Sequence, residues 1–401
     1  MAFIIKQIPE FIQAVYNPIK VAVYKDNYTI GELFYCDIWT ITDKNMLNSG
    51  TPKATGTLLQ TLTINGTGDG NAVFDISSIL STVFKQDEYN TPPTLNPLQS
   101  QKNESGYIGY FFKVGTIKYN AQNQKIKTQE YELAEVQWAV RAALPKVSNP
   151  TNSGNSGNMI DYCYKYNDTP ISYATNIPDN TKRNRSEDTL LSFFLPFLPS
   201  ATNARIEAQA TLYFADNTSV ATIISSTPMT SGGLFIANVY PAQFTAQPKY
   251  AQLVSYSANI KYYDDANPEG LEIVRGKNFK VSKEIPFPNK VLFMNRLGGW
   301  DSIQVRKDTD TTIKFKSSSF VNTFGSRNYS VSADTTTTYY SSYLTKSEFI
   351  WLIDLKMSPV IFLNNIYVLQ QDGDFKLDTS IGLFNYELVV SPEYDENAIS
   401  L

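Results

Sequence analysis

Hydrophobic and polar positions alternate at period two along much of this chain, the pattern of strands that bury one face. Near the start, Val21 and Val23 alternate with Lys20 and Ala22, and Leu58, Leu62 and Ile64 share a face. Strands are predicted at 20–24, 34–41, 58–64 and 72–74, with a turn at Gly66-Thr67-Gly68-Asp69-Gly70-Asn71. The period changes after Asp75, an N-cap residue type: Ile76, Ile79, Leu80 and Val83 recur at helical spacing and predict a short helix. After a polar loop at 87–105, long strands are predicted at 107–119 and 129–143, joined across 120–123.

A second stretch, about 190–284, runs in the same order. A strand at 205–214 leads through the Asp216-Asn217 turn into 219–225, which stands where 58–65 stood. Residues 231–239 correspond to 68–79, and 258–263 to 114–119. This is either a duplication or the shared rhythm of sandwiches, which all alternate strands and turns at similar spacing. In the third stretch, strands are predicted at 290–295, 302–306, 312–324, 327–333, 360–363, 365–369 and 383–390. Between them, Thr345-Lys346-Ser347-Glu348 is a capping box, and Phe349, Ile350, Leu352 and Ile353 predict a helix of about three turns ending before Pro359. The fold class expected is mainly β: two tandem β-sandwich domains followed by a small α+β C-terminal domain. The boundaries are 1–145, a polar linker or extended arm at 146–188, 189–286 and 287–401. Residues 149–158, rich in Asn, Ser and Gly, read as a plain linker or as an arm reaching a neighbouring subunit.

Composition narrows the function. The chain has 401 residues, room for two or three domains. Lys and Arg number 34 against 38 Asp and Glu, so no basic surplus exists to neutralise a phosphate backbone, and nucleic-acid binding is not expected. There is no histidine, which excludes Ser-His-Asp and Cys-His nucleophile systems and His-ligated metals. Cys36 and Cys163 form no CxxC pair; a disulfide between them is open. The start lacks a charged region followed by an apolar run, and no window is apolar enough to span a bilayer, so a soluble chain made in a cytosol is expected. Tyrosine, at 26 residues, dominates the aromatics and suits surfaces apolar on one side and wet on the other.

Motifs for chemistry are weak. Asp372-Gly373-Asp374 with Asp378 lacks the order and distal Glu of a calcium loop and reads as a hairpin turn. Gly66–Gly70 lacks the Lys-Ser/Thr of a phosphate loop. Asp161, Asp264, Asp265, Glu348 and Asp354 are too many carboxylates for any pair to mark a glycosidase. No catalytic, metal or cofactor residues are therefore assigned. Trp300, beside Gly298-Gly299, reads first as packing over a closely approaching backbone, then as an interface anchor or a ligand platform. Arg183-Asn184-Arg185 is a small basic cluster.

Three stretches stand together: Tyr16-Asn17-Pro18-Ile19-Lys20-Val21-Ala22-Val23-Tyr24, Leu292–Ser302 with its Asn295-Arg296-Leu297-Gly298-Gly299-Trp300-Asp301 element, and Thr345–Val360. The trio resembles virion structural proteins of tailed phages infecting Bacteroidetes, the crAss-like group, in which an Asn-Pro-Ile/Leu start and an Asn-Arg/Lys-x-Gly-Gly-Trp/Phe-Asp element recur. The resemblance covers the ends of the chain and the overall plan and leaves out the linker. It implies a non-enzymatic virion protein, in the tail, made in the host cytoplasm. It carries over no catalytic residue and no cofactor.

An assembly subunit of a closed ring must present two different complementary faces. The expectation is a ring-forming tail or tail-hub subunit whose partners are copies of itself and other tail or portal-proximal proteins, with no membrane insertion. Interface candidates are Trp300, Arg183, Arg185, Tyr16, Asn17 and Pro18. The alternative is a receptor- or carbohydrate-binding virion protein at the tail tip. A depolymerase and a bacterial adhesin rank below it.

Overall fold

The computed structural model describes residues 2–29, 31–41, 56–84, 91–93, 100–144, 159, 170–195, 203–229, 232–282, 288–371, 384–392 and 399–400. Among them the protein is mainly β, built of several sheets in a sandwich-like arrangement and a C-terminal barrel, with few helices.

The first part contains β1 (Phe3–Gln7), β2 (Ile12–Ala14), β3 (Lys20–Lys25), β4 (Leu33–Ile41), β5 (Gly56–Asn65), β6 (Asn71–Asp75), helix α1 (Ser77–Ser81), β7 (Gln101–Lys102), β8 (Tyr107–Tyr119), β9 (Lys125–Glu132) and β10 (Gln137–Val140). The large sheet runs β2-β10-β8-β4-β5, with β9 also on β8, and the small sheet runs β1-β3-β6. Val21, Val23 and Phe74 of the small sheet meet Phe34, Ile38, Phe112 and Val114 of the large one in a shared core. Each such side chain contributes about 1.5–3 kcal/mol on burial. The N-cap of α1 is Ile76, one residue later than its sequence predicts, and Asp75 Oδ1 accepts the Ser77 N–H at 3.0 Å from the position before it.

The strand predicted at 129–143 is two strands. β9 pairs with Lys113–Tyr119 of β8 and β10 with Tyr107–Tyr110, along one edge. Between them Leu133 is buried in the core, its N–H held by the Phe112 carbonyl at 3.0 Å. After the break the chain passes from the largely exposed β9 to the fully buried β10.

The second part contains β11 (Thr181–Arg183), β12 (Leu190–Leu195), β13 (Arg205–Phe214), β14 (Ser219–Pro228), β15 (Gly233–Asn238), β16 (Leu253–Asp264) and β17 (Asn267–Val281). Its pairing scheme repeats the first. β3–β6, β4–β5, β4–β8 and β8–β9 correspond to β12–β15, β13–β14, β13–β16 and β16–β17, all antiparallel. The resemblance between the two stretches therefore extends from rhythm to pairing order. The halves also interlock, because β7 joins the small sheet of the second through β15.

The described end of the 146–188 segment is packed, with no exposed arm. β11 adds in parallel to β17, and Ile171 and Ala174 donate to Ile273 and Ser192 at 3.0 and 2.7 Å. Residues 149–158 lie outside the described residues, as do Cys163, Asp161 and the Asp372–Asp378 turn. Cys36 is buried in the first core, where burial pushes its thiol pKa up.

The third part contains β18 (Asn289–Met294), β19 (Trp300–Asn322), β20 (Gly325–Ser341), α2 (Lys346–Trp351), α3 (Ile353–Lys356), β21 (Ile361–Leu363), β22 (Ile366–Gln370), β23 (Glu387–Pro392) and β24 (Ile399–Ser400). Six strands close in the order β19-β18-β21-β22-β23-β20, because β20 pairs back to β19. The small α+β domain expected here is thus a six-stranded barrel, with Phe349, Trp351, Leu352 and Leu355 of the helices in its core cluster. The predicted three-turn helix is two short ones joined at Leu352. The three strands predicted over 302–333 are one hairpin. It runs past the barrel as an arm from Thr312↔Thr336 to the tip at Asn322↔Gly325, beyond the last β23 partner at Thr337, and β24 pairs with β20 along it at Ser330 and Val331. At about 3.3 Å per residue the arm is about 35 Å long.

Candidate functional site

The three stretches that carry the sequence resemblance converge on one junction inside the chain. Asn295 builds its turn. Its Oδ1 accepts the N–H groups of Leu297 and Gly299 at 2.9 and 3.0 Å, and its Nδ2 donates to the Ala174 carbonyl at 2.9 Å. Gly298 takes a left-handed φ of +79°, and a Cβ on it would stand 2.8 Å from the Arg141 carbonyl. A Cβ on Gly299 would stand 2.4 Å from the Ala174 carbonyl. Glycine is needed at both positions, at the first for backbone angle and approach, at the second for approach alone.

The turn ties four regions together. Ala143 N–H donates to the Arg296 carbonyl at 2.7 Å, and Trp300 N–H donates to Ser192 Oγ at 3.1 Å. Arg296 pairs with buried Asp354 on α3, which also accepts Asn176 Nδ2 at 2.7 Å. Trp351 Nε1 of α2 donates to Asp301 at 2.8 Å. At the other end, Asn17 exchanges two hydrogen bonds with the Leu144 backbone, at 2.7 and 3.0 Å, and Tyr16 N–H donates to the Ala142 carbonyl at 3.1 Å.

The interface candidates fall in different places. Trp300 is 2% exposed and packs on Phe362 among Leu190, Ile236, Leu292 and Met294, which leaves it almost no surface for a partner or a sugar. Arg183 is 1% exposed. It donates to Glu187 at 2.6 Å and the Ser302 carbonyl at 2.8 Å, and its guanidinium lies 5.4 Å from the Trp351 ring centre. A partner chain cannot reach it as placed. Arg185 is half-buried over the Tyr250 ring, at 4.6 Å. Asn17 is buried, Pro18 is half-buried and Tyr16 is exposed, so of this group Tyr16 presents the open surface.

Burial sets the electrostatics of the junction. It raises the Asp301 carboxyl to about 6, against the opposing pull of the Trp351 hydrogen bond. It raises Glu187 and Asp354 as well, with Arg183 pulling Glu187 back down and Asn176 and Arg296 doing so for Asp354. These carboxylates hold indole, amide and guanidinium groups, and Glu187 also lines, with Arg183, Glu348 and Trp351, a cavity of about 330 Å³. Asp264 closes a turn, accepting the N–H groups of Ala266 and Asn267 at 3.0 and 2.7 Å. Glu348 completes the capping box, accepting the Thr345 N–H at 2.8 Å.

Open apolar surface lies elsewhere. Phe315 and Phe324 on the arm are 74% and 84% exposed, and Ile313 and Val321 are also exposed. Ile313, Phe315 and Val321 fall on one face of β19 by their spacing. Sequence reasoning did not single out these residues, because an apolar residue in a period-two strand reads as core.

No family model matches this chain, and no curated protein matches it. Among solved structures, the crystal structure of CBD12 from CALX1.2 is 6% identical, covering 70% of this chain and 99% of that one, with a TM-score of 0.19. The calcium binding domain CBD12 of CALX1.1 gives 6% identity, 71% and 100% coverage and a TM-score of 0.18. The plexin A4 full extracellular region gives 6% identity, 98% of this chain and 40% of that one, with a TM-score of 0.19. Likenesses this slight carry no weight for what the chain does. Among the described residues, no helix is long and apolar enough to cross a membrane.

Proposed function

We propose that this chain is a non-enzymatic structural protein of a phage virion, a ring-forming tail or tail-hub subunit whose partners are copies of itself and neighbouring tail or portal-proximal proteins. Residues 1–145 and 189–286 are then tandem sandwich domains, 146–188 connects them, and 287–401 is a small C-terminal domain of strands and short helices. The observation that carries the reading is the arm. A narrow ribbon about 35 Å long, two strands with β24 added at two residues of β20 and with Phe315 and Phe324 largely in solvent, gains little from folding alone and gains on burial against another chain. The three stretches that resemble crAss-like virion proteins support it further, since hydrogen bonds and an ion pair from them tie the parts of the chain together.

Negative-stain electron microscopy of the purified chain at high concentration tests the proposal. Rings of fixed subunit number are the expected result. Trimeric spikes would transfer the assignment to a receptor- or carbohydrate-binding protein at the tail tip. Release of oligosaccharide from host capsule would contradict the non-enzymatic reading.

A further inference from the structure

Each main sheet ends in an open strand of the same kind. β5 closes the first and β14 the second, each ten residues long and each the outer partner of a hairpin. Among the described residues, neither has a backbone partner on its outer side. Neither β5 nor β14 contains a single Lys, Arg, Asp or Glu.

The other open strands are guarded. β9, free on its outer side, carries Lys125, Lys127, Glu130 and Glu132. The arm strand β19 carries Asp310 and Lys314. β1 and β6, at the edges of the first small sheet, are five residues long and carry Lys6 and Asp75. At the far side, β2 and β11, three residues each, cover the edges of the two main sheets in parallel, and β12, the uncharged edge of the second small sheet, is buried along its length, with its Ser192 carbonyl taken by the Ala174 N–H. Charged side chains and short length are how soluble proteins keep sheet edges from pairing with other chains. Among the exposed edges, both devices are missing from β5 and β14.

We propose that copies of this chain join by strand addition, the outer edge of β5 in one copy pairing with the outer edge of β14 in the next. The regular parts of the two strands are Gln60–Asn65 and Ser219–Ile223, because bulges interrupt each pairing at Leu59 and Ile224. Runs of five or six residues match the commonest strand length, and their backbone bonds supply a good part of the ten or so that a typical interface holds. The charges agree, since pairing these edges buries no ionised group, whereas pairing either with β9 or β19 would. Leu58, Val220 and Ile223, exposed beside the edges, gain cover. Because the two edges occupy equivalent positions in repeated pairing schemes, an antiparallel junction continues one sheet through β8-β4-β5 and β14-β13-β16 of the neighbour. Each copy keeps one edge of each kind, so the contact is heterologous and propagates until it closes. The inference rests on the ring reading and supplies its contact.

Sedimentation velocity on the full chain tests it with two edge-charging substitutions at exposed positions, Thr63→Lys and Ala221→Lys. Matching melting curves and the uncharged controls Thr63→Val and Ala221→Val separate edge effects from misfolding. The wild type and both valine controls should assemble. Each lysine variant alone should lose every species above monomer, and an equimolar mixture of the two should give a dimer of one of each. Rings formed by both lysine variants would overturn strand addition while leaving the ring reading in place. Dimers from Thr63→Lys alone or Ala221→Lys alone would show like-with-like pairing and overturn the proposed contact. A wild type that stays monomeric at every concentration would overturn both.

Discussion

Asp301 sits fully buried against the Trp351 indole, and its carboxyl is raised to about 6 by that burial. The folded chain therefore takes up a proton before the unfolded one does. Stability from this group is fully present below about 4 and is lost as pH rises through about 6, a change of about 3 kcal/mol for a shift of about two units. Asp354 and Glu187 are raised too, so they act in the same direction. Urea unfolding of Asp301→Asn should show a flatter profile than wild type between pH 5 and 7.5, with the variant the more stable at the upper end. An unchanged slope would remove Asp301 as its source. Gly298→Ala places a side chain at φ +79° and 2.8 Å from a carbonyl, and should cost about 1–3 kcal/mol or more by the same measurement. The sequence made this turn legible, because Asn-x-x-Gly-Gly is turn chemistry wherever it falls. It did not reveal Arg183 as a core residue. Arg183-Asn184-Arg185 looks like a solvated cluster when read locally, and one of its partners, the Ser302 carbonyl, lies 119 positions away.

Strands were the legible elements, since period two, turn residues and β-branched side chains act over short range. The β3 to β6 and β13 to β16 runs agree with the predicted strands to within a few residues, except that β16 begins several residues earlier than predicted. The helix after the capping box was legible at its start and not at its end. Leu352 N–H is shared between the Glu348 and Phe349 carbonyls, at 3.3 and 3.1 Å, a tightened turn that ends α2 before α3 begins. Barrel closure was not legible at all, because it depends on Val305 meeting Ser341 and on β18 meeting both β19 and β21. The arm is the element with the clearest consequence. Ile313, Phe315 and Val321 are each at least half exposed on it. Phe315→Ser with Val321→Ser should leave chemical stability within about 0.5 kcal/mol of wild type. The same variant should weaken self-association measured by sedimentation. A large loss of stability would mean the arm is part of the core after all.

At the scale of the whole molecule, the second sandwich and the barrel share one hydrophobic cluster, in which Ile206 and Tyr256 stand with Val291, Phe349 and Leu388. Trp300 joins them again through Leu190 and Ile236. Scanning calorimetry should therefore show these two parts melting in a single transition, and two resolved peaks would contradict the shared core. A body stitched in this way, with two uncharged sheet edges and one projecting arm, is suited to repeating itself in an assembly. The mass of the purified chain across a concentration series, by native mass spectrometry, tests that claim most directly. The account predicts one dominant closed species whose mass is a fixed multiple of 45.1 kDa and which grows at the expense of monomer as concentration rises. A 45.1 kDa species at every concentration, or a series that stops at a two-fold dimer, would contradict it.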